Sequence, residues 1–297
     1  MEDPEKFQEL CDFVSLLPYG QRLLDQSEKN VSLSMFSLSL PRIPNLLQRL
    51  APVKKLFADN CPLLSCLPET LGQLAKLNTI QINCCHSLTS LPETVGQLTT
   101  ELKVLSIIDC AQFTRLPESI GQLSALTEIY IYKCGLIGLP KSTGQLKALT
   151  LLTITDCPVF THLPESVGQL SALTKMKITS CPAFKYLPDT VGAITTLIDL
   201  DLAYSGITHF PTTLWLLPEL QWIVLCKTGV TEIMGFVRDP RSDLHIIQPD
   251  YSRTRVCSYR SVILTTILCM RRRRRHMPDE LWLKVVEDYA EKFRFPV

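Results

Sequence analysis

From Val53 onward the apolar positions of the chain fall into one repeated figure: a two-residue alternation, a small residue, and a Leu-Pro pair. Each unit reads Leu-x-x-Leu-x-Ile-x-x-Cys, then four or five residues to Leu-Pro, then a variable turn into Gly-Gln-Leu. The alternating positions are Leu56, Ile80/Ile82, Leu105/Ile107, Ile129/Ile131, Leu152/Ile154, Met176/Ile178, Leu200/Leu202 and Ile223/Leu225. Strict alternation predicts a strand with one buried face. A single unit cannot bury these side chains alone, so neighbouring units must stack, strand beside strand, at about 4.8 Å.

The prolines at Pro44, Pro68, Pro92, Pro117, Pro140, Pro164, Pro188 and Pro211 set the period, with intervals of 24, 24, 25, 23, 24, 24 and 23 residues. This lies inside the leucine-rich-repeat window of about 20–29 residues. The predicted fold is therefore an α/β leucine-rich-repeat solenoid. It is a curved arc with parallel strands on the concave face, short helices or turns on the convex face, and helical caps at both ends. Proline fixes a bend on the outer side, glycine is expected to permit the backbone conformation that turns back, and an acidic residue suits the start of a helical turn. One small residue follows each strand: Cys61, Cys85, Cys110, Cys134, Cys157, Cys181, Ser205 and Thr228. Their fixed phase predicts a ladder of buried thiols and hydroxyls donating to backbone carbonyls.

Four segments follow. Residues 1–30, with Phe7, Leu10, Cys11, Val14 and Leu17 at helical spacing, form an N-terminal helical cap or a decayed repeat. Residues 31–234 are the repeat domain, opening on an imperfectly registered strand at Val31, Leu33 and Met35. Residues 235–276 form a C-terminal cap, irregular to residue 250, with helical potential from Tyr251 to Met270 and an arginine run. Residues 277–297 form a terminal amphipathic helix that starts at Pro278 and carries Leu281, Trp282, Val285, Val286 and Tyr289 on one face.

The units over about residues 40–233 resemble the Leu-Pro-x-x-x-Gly-x-Leu repeats of intracellular leucine-rich-repeat proteins. Such repeats occur in the plant family related to Ras-binding repeat proteins and in the sensor halves of plant disease-resistance proteins. That resemblance implies protein recognition in intracellular signalling or defence. The segment Met277-Pro278-Asp279-Glu280-Leu281 resembles the opening helix of an F-box, which would imply a substrate adaptor that engages a ubiquitin-ligase component through residues 277–297.

Composition narrows the field further. A formal net charge of +1 excludes a whole-molecule field that would gather nucleic acid. The basic residues do concentrate in Arg271, Arg272, Arg273, Arg274 and Arg275, a run suited to nucleic acid, an anionic membrane surface or nuclear import. The start is acidic, with no export signal, and the apolar stretch Ser261–Met270 falls short of the roughly 20 residues that cross a bilayer. Reduced cysteines and a cytoplasmic, monomeric protein, with a nuclear location as the alternative, are expected. The five histidines are scattered and converge with no cysteine, serine or carboxylate set, so no catalytic, metal or cofactor site is expected.

The candidate chemistry is a surface. Residues between the buried strand positions point outward and stack into columns. The position between the two buried strand residues is Phe57, Gln81, Ser106, Tyr130, Thr153, Lys177, Asp201 and Val224 along the stack. The candidate partner-binding residues are Ile108, Tyr130 and Tyr132 near the middle, with Lys175, Lys177, Asp199, Asp201, Tyr204 and Trp222 toward the C-terminal end. Exposed aromatics beside mixed charges are the usual material of protein-recognition hot spots.

Overall fold

The structure is a computed structural model that describes residues 12–17, 31–45, 52–230 and 245–247. The rest of the N-terminal segment, the helix expected from Tyr251, the arginine run Arg271–Arg275 and the terminal helix of 277–297 lie outside the described residues. Within 1–30, residues 12–15 are helical, with Phe13, Val14 and Leu17 buried.

One sheet of ten parallel strands runs through the described chain in sequence order. The strands are β1 (Val31–Phe36), β2 (Val53–Asp59), β3 (Thr79–Asn83), β4 (Val104–Ile108), β5 (Glu128–Tyr132), β6 (Leu151–Thr155), β7 (Lys175–Thr179), β8 (Asp199–Asp201), β9 (Trp222–Val224) and β10 (His245–Ile247). Parallel neighbours require a crossover connection. Each one described carries a five-residue 3-10 helix, from Glu69–Gln73 to Thr212–Leu216. The repeat proline stands immediately before each helix, and its carbonyl accepts the first turn bond, as in Leu71 N to Pro68 O at 3.0 Å. The alternating strand residues are buried as expected, down to zero exposure for Ile80, Ile82, Ile129, Ile131, Leu152 and Ile154. The space between sheet and convex helices is filled by the repeat leucines and by Phe113, Phe160 and Phe184, all fully buried, with the last two rings stacked at 5.6 Å. The irregular start of β1 is a register shift between Val31 and Ser32.

The residue after the last outward strand position turns sharply in every coil from β1 to β9. Ser37, Asn60, Cys84, Asp109, Lys133, Asp156, Ser180, Tyr204 and Lys227 all have φ between 51° and 59°. None is glycine, so each bears a backbone cost of about 1 kcal/mol. Each N–H from Ser37 to Tyr204 also donates across to the next coil, at 2.7–3.0 Å, as in Asp109 N to Tyr132 O. A bond of that kind offsets about the same amount. The parallel ladder thus continues one residue past the strands.

The glycine of Gly-Gln-Leu is needed for a different reason from the one the sequence suggests. Its backbone is not left-handed. A Cβ at Gly72, Gly144 or Gly168 would lie 2.2–2.3 Å from the carbonyl oxygen of Thr94, Ser166 or Thr190 in the next coil. Glycine is required because the convex turns approach too closely for any side chain. Trp215 occupies the same position in Thr212–Leu216, which is the last convex helix among the described residues.

The departures from a 24-residue period have physical sites. The 25-residue interval arises from one extra residue before Leu102, whose N–H reaches back four residues to Leu98 O, where the other coils use a three-residue turn. The two 23-residue intervals coincide with Gly135 and Gly206. There the shortened chain presses on the preceding coil, and a Cβ would meet Ala111 O at 2.3 Å and Pro182 O at 2.0 Å. β10 lies inside the stretch 235–250 read from the sequence as irregular. It pairs with β9, His245 to Trp222 and Ile247 to Val224. Its repeat signature is degraded, because Asp243 and Gln248 stand where the preceding unit has Leu220 and Leu225.

The close approach makes a direct prediction. Gly168→Ala should lower stability by about 2 kcal/mol or more, since backbone must move. Gly138→Ala should change it by no more than about 0.5 kcal/mol, since its new methyl would meet only the exposed, movable His162 ring. Urea denaturation of both variants measures the difference.

Candidate binding surface

Strand pairing turns the outward residues into three columns. The first runs Lys55, Thr79, Val104, Glu128, Leu151, Lys175, Asp199 and Trp222. The second runs Phe57, Gln81, Ser106, Tyr130, Thr153, Lys177, Asp201 and Val224. The third runs Asp59, Asn83, Ile108, Tyr132, Thr155 and Thr179. The left-handed residues form a fourth line along the C-terminal edge of the strands. The second column matches the sequence expectation residue for residue.

The predicted site residues fall into two groups. Ile108 and Tyr132 are direct register partners on β4 and β5, with Tyr130 on the same strand face. Lys175 pairs with Asp199, Lys177 with Asp201, and Asp199 with Trp222 on β7, β8 and β9. β6 separates the groups with Leu151, Thr153 and Thr155, and the Thr155 and Thr179 hydroxyls bond to each other at 2.9 Å. Tyr204 stands outside the strands, at a left-handed position of the edge. Arg271–Arg275 lie outside the described residues.

The aromatic side chains differ in availability. Tyr130 is half-buried and its hydroxyl donates to Glu128 Oε2 at 2.9 Å. Burial, and then this bond to a carboxylate, raise its phenol above the usual range. Tyr132, Trp222 and Tyr204 are 37%, 41% and 52% exposed. Lysine ammonium groups stack over two of them: Lys133 Nζ lies 5.3 Å from the Tyr132 ring centre, and Lys227 Nζ 5.3 Å from that of Tyr204. Both lysines occupy the left-handed edge line and were absent from the sequence-derived set. Their signal was legible, since each immediately precedes the fixed-phase Cys134 or Thr228. Asp201 Oδ1 accepts from Ala203 N at 3.1 Å.

Other chemistry finds little geometry. Among the described residues, no three His, Cys, Asp or Glu side chains gather as a metal set. His162 and His209 are exposed on the outer turn, each held through Nδ1 by the neighbouring Thr161 or Thr208 hydroxyl at 2.8 Å. No helix among the described residues is long and apolar enough to cross a membrane.

No protein-family model and no curated protein matches this chain. Solved structures do. The leucine-rich repeat domain of the type III effector XopL superposes with a TM-score of 0.63 at 23% identity, covering 82% of this chain and 89% of that one. A chain of the Toll–Spätzle complex of Drosophila superposes with a TM-score of 0.59 at 17% identity, covering 73% of this chain and 31% of that longer chain. With ten parallel strands and short 3-10 turns on the other side, this decides the architecture. The chain is a leucine-rich-repeat solenoid.

In this solenoid the fixed-phase cysteine is structural. Cys85, Cys110, Cys157 and Cys181 are fully buried, and their thiols donate to the carbonyl two residues back at 3.3–3.4 Å, as in Cys110 Sγ to Ile108 O. Ser205 and Thr228 donate hydroxyls instead, to Leu202 O and Leu225 O. Burial pushes the Cys157 and Cys181 thiols up to about 12 and about 11. For Cys85 and Cys110 the hydrogen bond to the adjacent ladder thiol, then burial, act in the same upward direction. Thiolate is the nucleophile, so these groups are inert in the folded protein.

The raised values tie stability to pH. An unfolded thiol ionises near 9.0, whereas Cys157 and Cys181 resist until about 12 and 11. Their contribution is complete below pH 9 and is lost as pH rises through the folded values. Thermal midpoints should therefore fall more steeply between pH 9 and 11 in the wild type than in Cys157→Ala/Cys181→Ala. Iodoacetamide at pH 8 should label exposed Cys66 and spare Cys110, Cys157 and Cys181, as peptide mass spectrometry would report.

Proposed function

We propose that this chain is a non-enzymatic, intracellular recognition module that binds a protein partner through its strand-lined, concave face, in signalling or defence. The observation that carries the reading is the composition of that face: register-aligned columns hold exposed Tyr132 and Trp222 beside Lys175, Lys177, Asp199 and Asp201. A backbone fixed by neighbouring coils requires little ordering on binding, which favours affinity. A chain of the same architecture is part of a solved complex between the proteins Toll and Spätzle, which is consistent with such a use.

A second reading rests on Met277–Tyr289 and makes the arc the substrate-selecting half of a ubiquitin-ligase adaptor. In a third, the run Arg271–Arg275 adds contact with nucleic acid or an anionic membrane, which would show as steep salt dependence.

Affinity capture from native lysate separates these readings, with wild type run beside Tyr130→Ala/Tyr132→Ala/Lys177→Ala and a truncation at Met277. The recognition reading expects a partner retained by the truncation and lost, by about tenfold or more, from the strand-face variant. Ligase components lost only on truncation would favour the adaptor. Partners that survive both changes would place binding elsewhere.

A further inference from the structure

The charges on the strand face are sorted, and their order points to the chemistry of the partner. Lys175 and Lys177 stand two residues apart on β7, and Asp199 and Asp201 stand opposite them, register for register, on β8. Two like charges therefore share each strand, with the opposite pair one strand away. The ion pair formed between described residues lies elsewhere, between Lys76 and Glu101 at 3.7 Å. The four groups are half-buried or exposed and remain able to meet an outside charge. Two strands before the lysines lie Tyr130 and Tyr132 on β5, which with Ile108 on β4 form an apolar cluster. Between them, β6 offers only the compact side chains Thr153 and Thr155 with Leu151.

We infer that this face takes an extended segment of a protein partner, crossing the strands, whose side chains run apolar, acidic, basic from β5 to β8. The inference rests on the protein-recognition reading above and specifies its partner. Strands are about 4.8 Å apart and an extended chain advances about 3.3 Å per residue. The acidic residue then lies about three positions from the apolar one, and the basic residue one or two further on. A segment with basic and acidic residues exchanged meets like charge at both rows and is rejected. A phosphate backbone or anionic headgroup layer meets the Asp199/Asp201 row and Glu128, which disfavours nucleic acid and membrane as occupants of this face.

The probe is a display library of random dodecapeptides selected on the full chain. Wild type should enrich apolar-x-x-acidic followed by basic, read in either chain direction, with the acidic residue always nearer the apolar one. The net-neutral exchange Lys175→Asp/Lys177→Asp/Asp199→Lys/Asp201→Lys should invert that order and weaken the wild-type-selected peptides by about tenfold or more. The milder Lys177→Gln/Asp201→Asn, checked for an unchanged thermal midpoint, should reduce the charge preference and keep the apolar one. Enrichment without charge order, or the same peptides on wild type and exchanged variant, overturns the inference. If those same peptides are lost from Tyr130→Ala/Tyr132→Ala, the recognition reading stands while the charge assignment falls. If wild type enriches no peptide, the extended-segment partner is rejected, and lysate capture alone decides the broader reading.

Discussion

The structure depends on one spacing being kept at three places in each coil. Parallel strands set it by hydrogen bonding at about 4.8 Å. The left-handed residue after each strand keeps it, because its N–H reaches the next coil. On the far side the convex turns keep it by direct backbone approach, which a Cβ would prevent. A stack of this kind gains its stability from contacts between neighbouring coils, so each coil relies on the next. The buried phenylalanines and leucines fill the volume those three contacts enclose.

The sulfhydryl ladder belongs to the same logic. The chain turns inward after the left-handed residue, and the side chain entering the stack must be small and able to donate to a nearby carbonyl. Cysteine meets both needs while adding apolar surface to the core, and it bonds more weakly than the hydroxyls of Ser205 and Thr228. At Cys85, Cys110, Cys157 and Cys181 the raised ionisation removes the thiolate and with it the reactivity. The buried cysteines of the ladder are thus a packing device.

Much of this was legible because the repeat prints the same instruction many times. The buried positions, the outward columns and the thiol ladder follow from phase alone, and Tyr130, Lys177 and Asp201 fall in the column assigned to them. What sequence could not supply was distance between elements. Nothing local to Gly168 says that Thr190 O of the next coil lies against it. The separation of Tyr132 from Asp199 by two intervening strands is likewise a property of the stack. Lys133 and Lys227 lie outside the alternating strand positions, on the turn just beyond them, which also presents side chains. β10 was missed because only Ile246 keeps the expected apolar residue at its core position.

The extra residue before Leu102 and the shortening at Gly135 have a further consequence. Both are absorbed in the connections, and the pairing of β3, β4 and β5 continues through them without a shift. Separation along the face is therefore counted in strands and is indifferent to how many residues lie between. The face behaves as a ruler whose divisions are fixed by the backbone and whose markings are side chains. Loops can lengthen or shorten without moving any mark, and a mark can change its chemistry without altering its distance from the others.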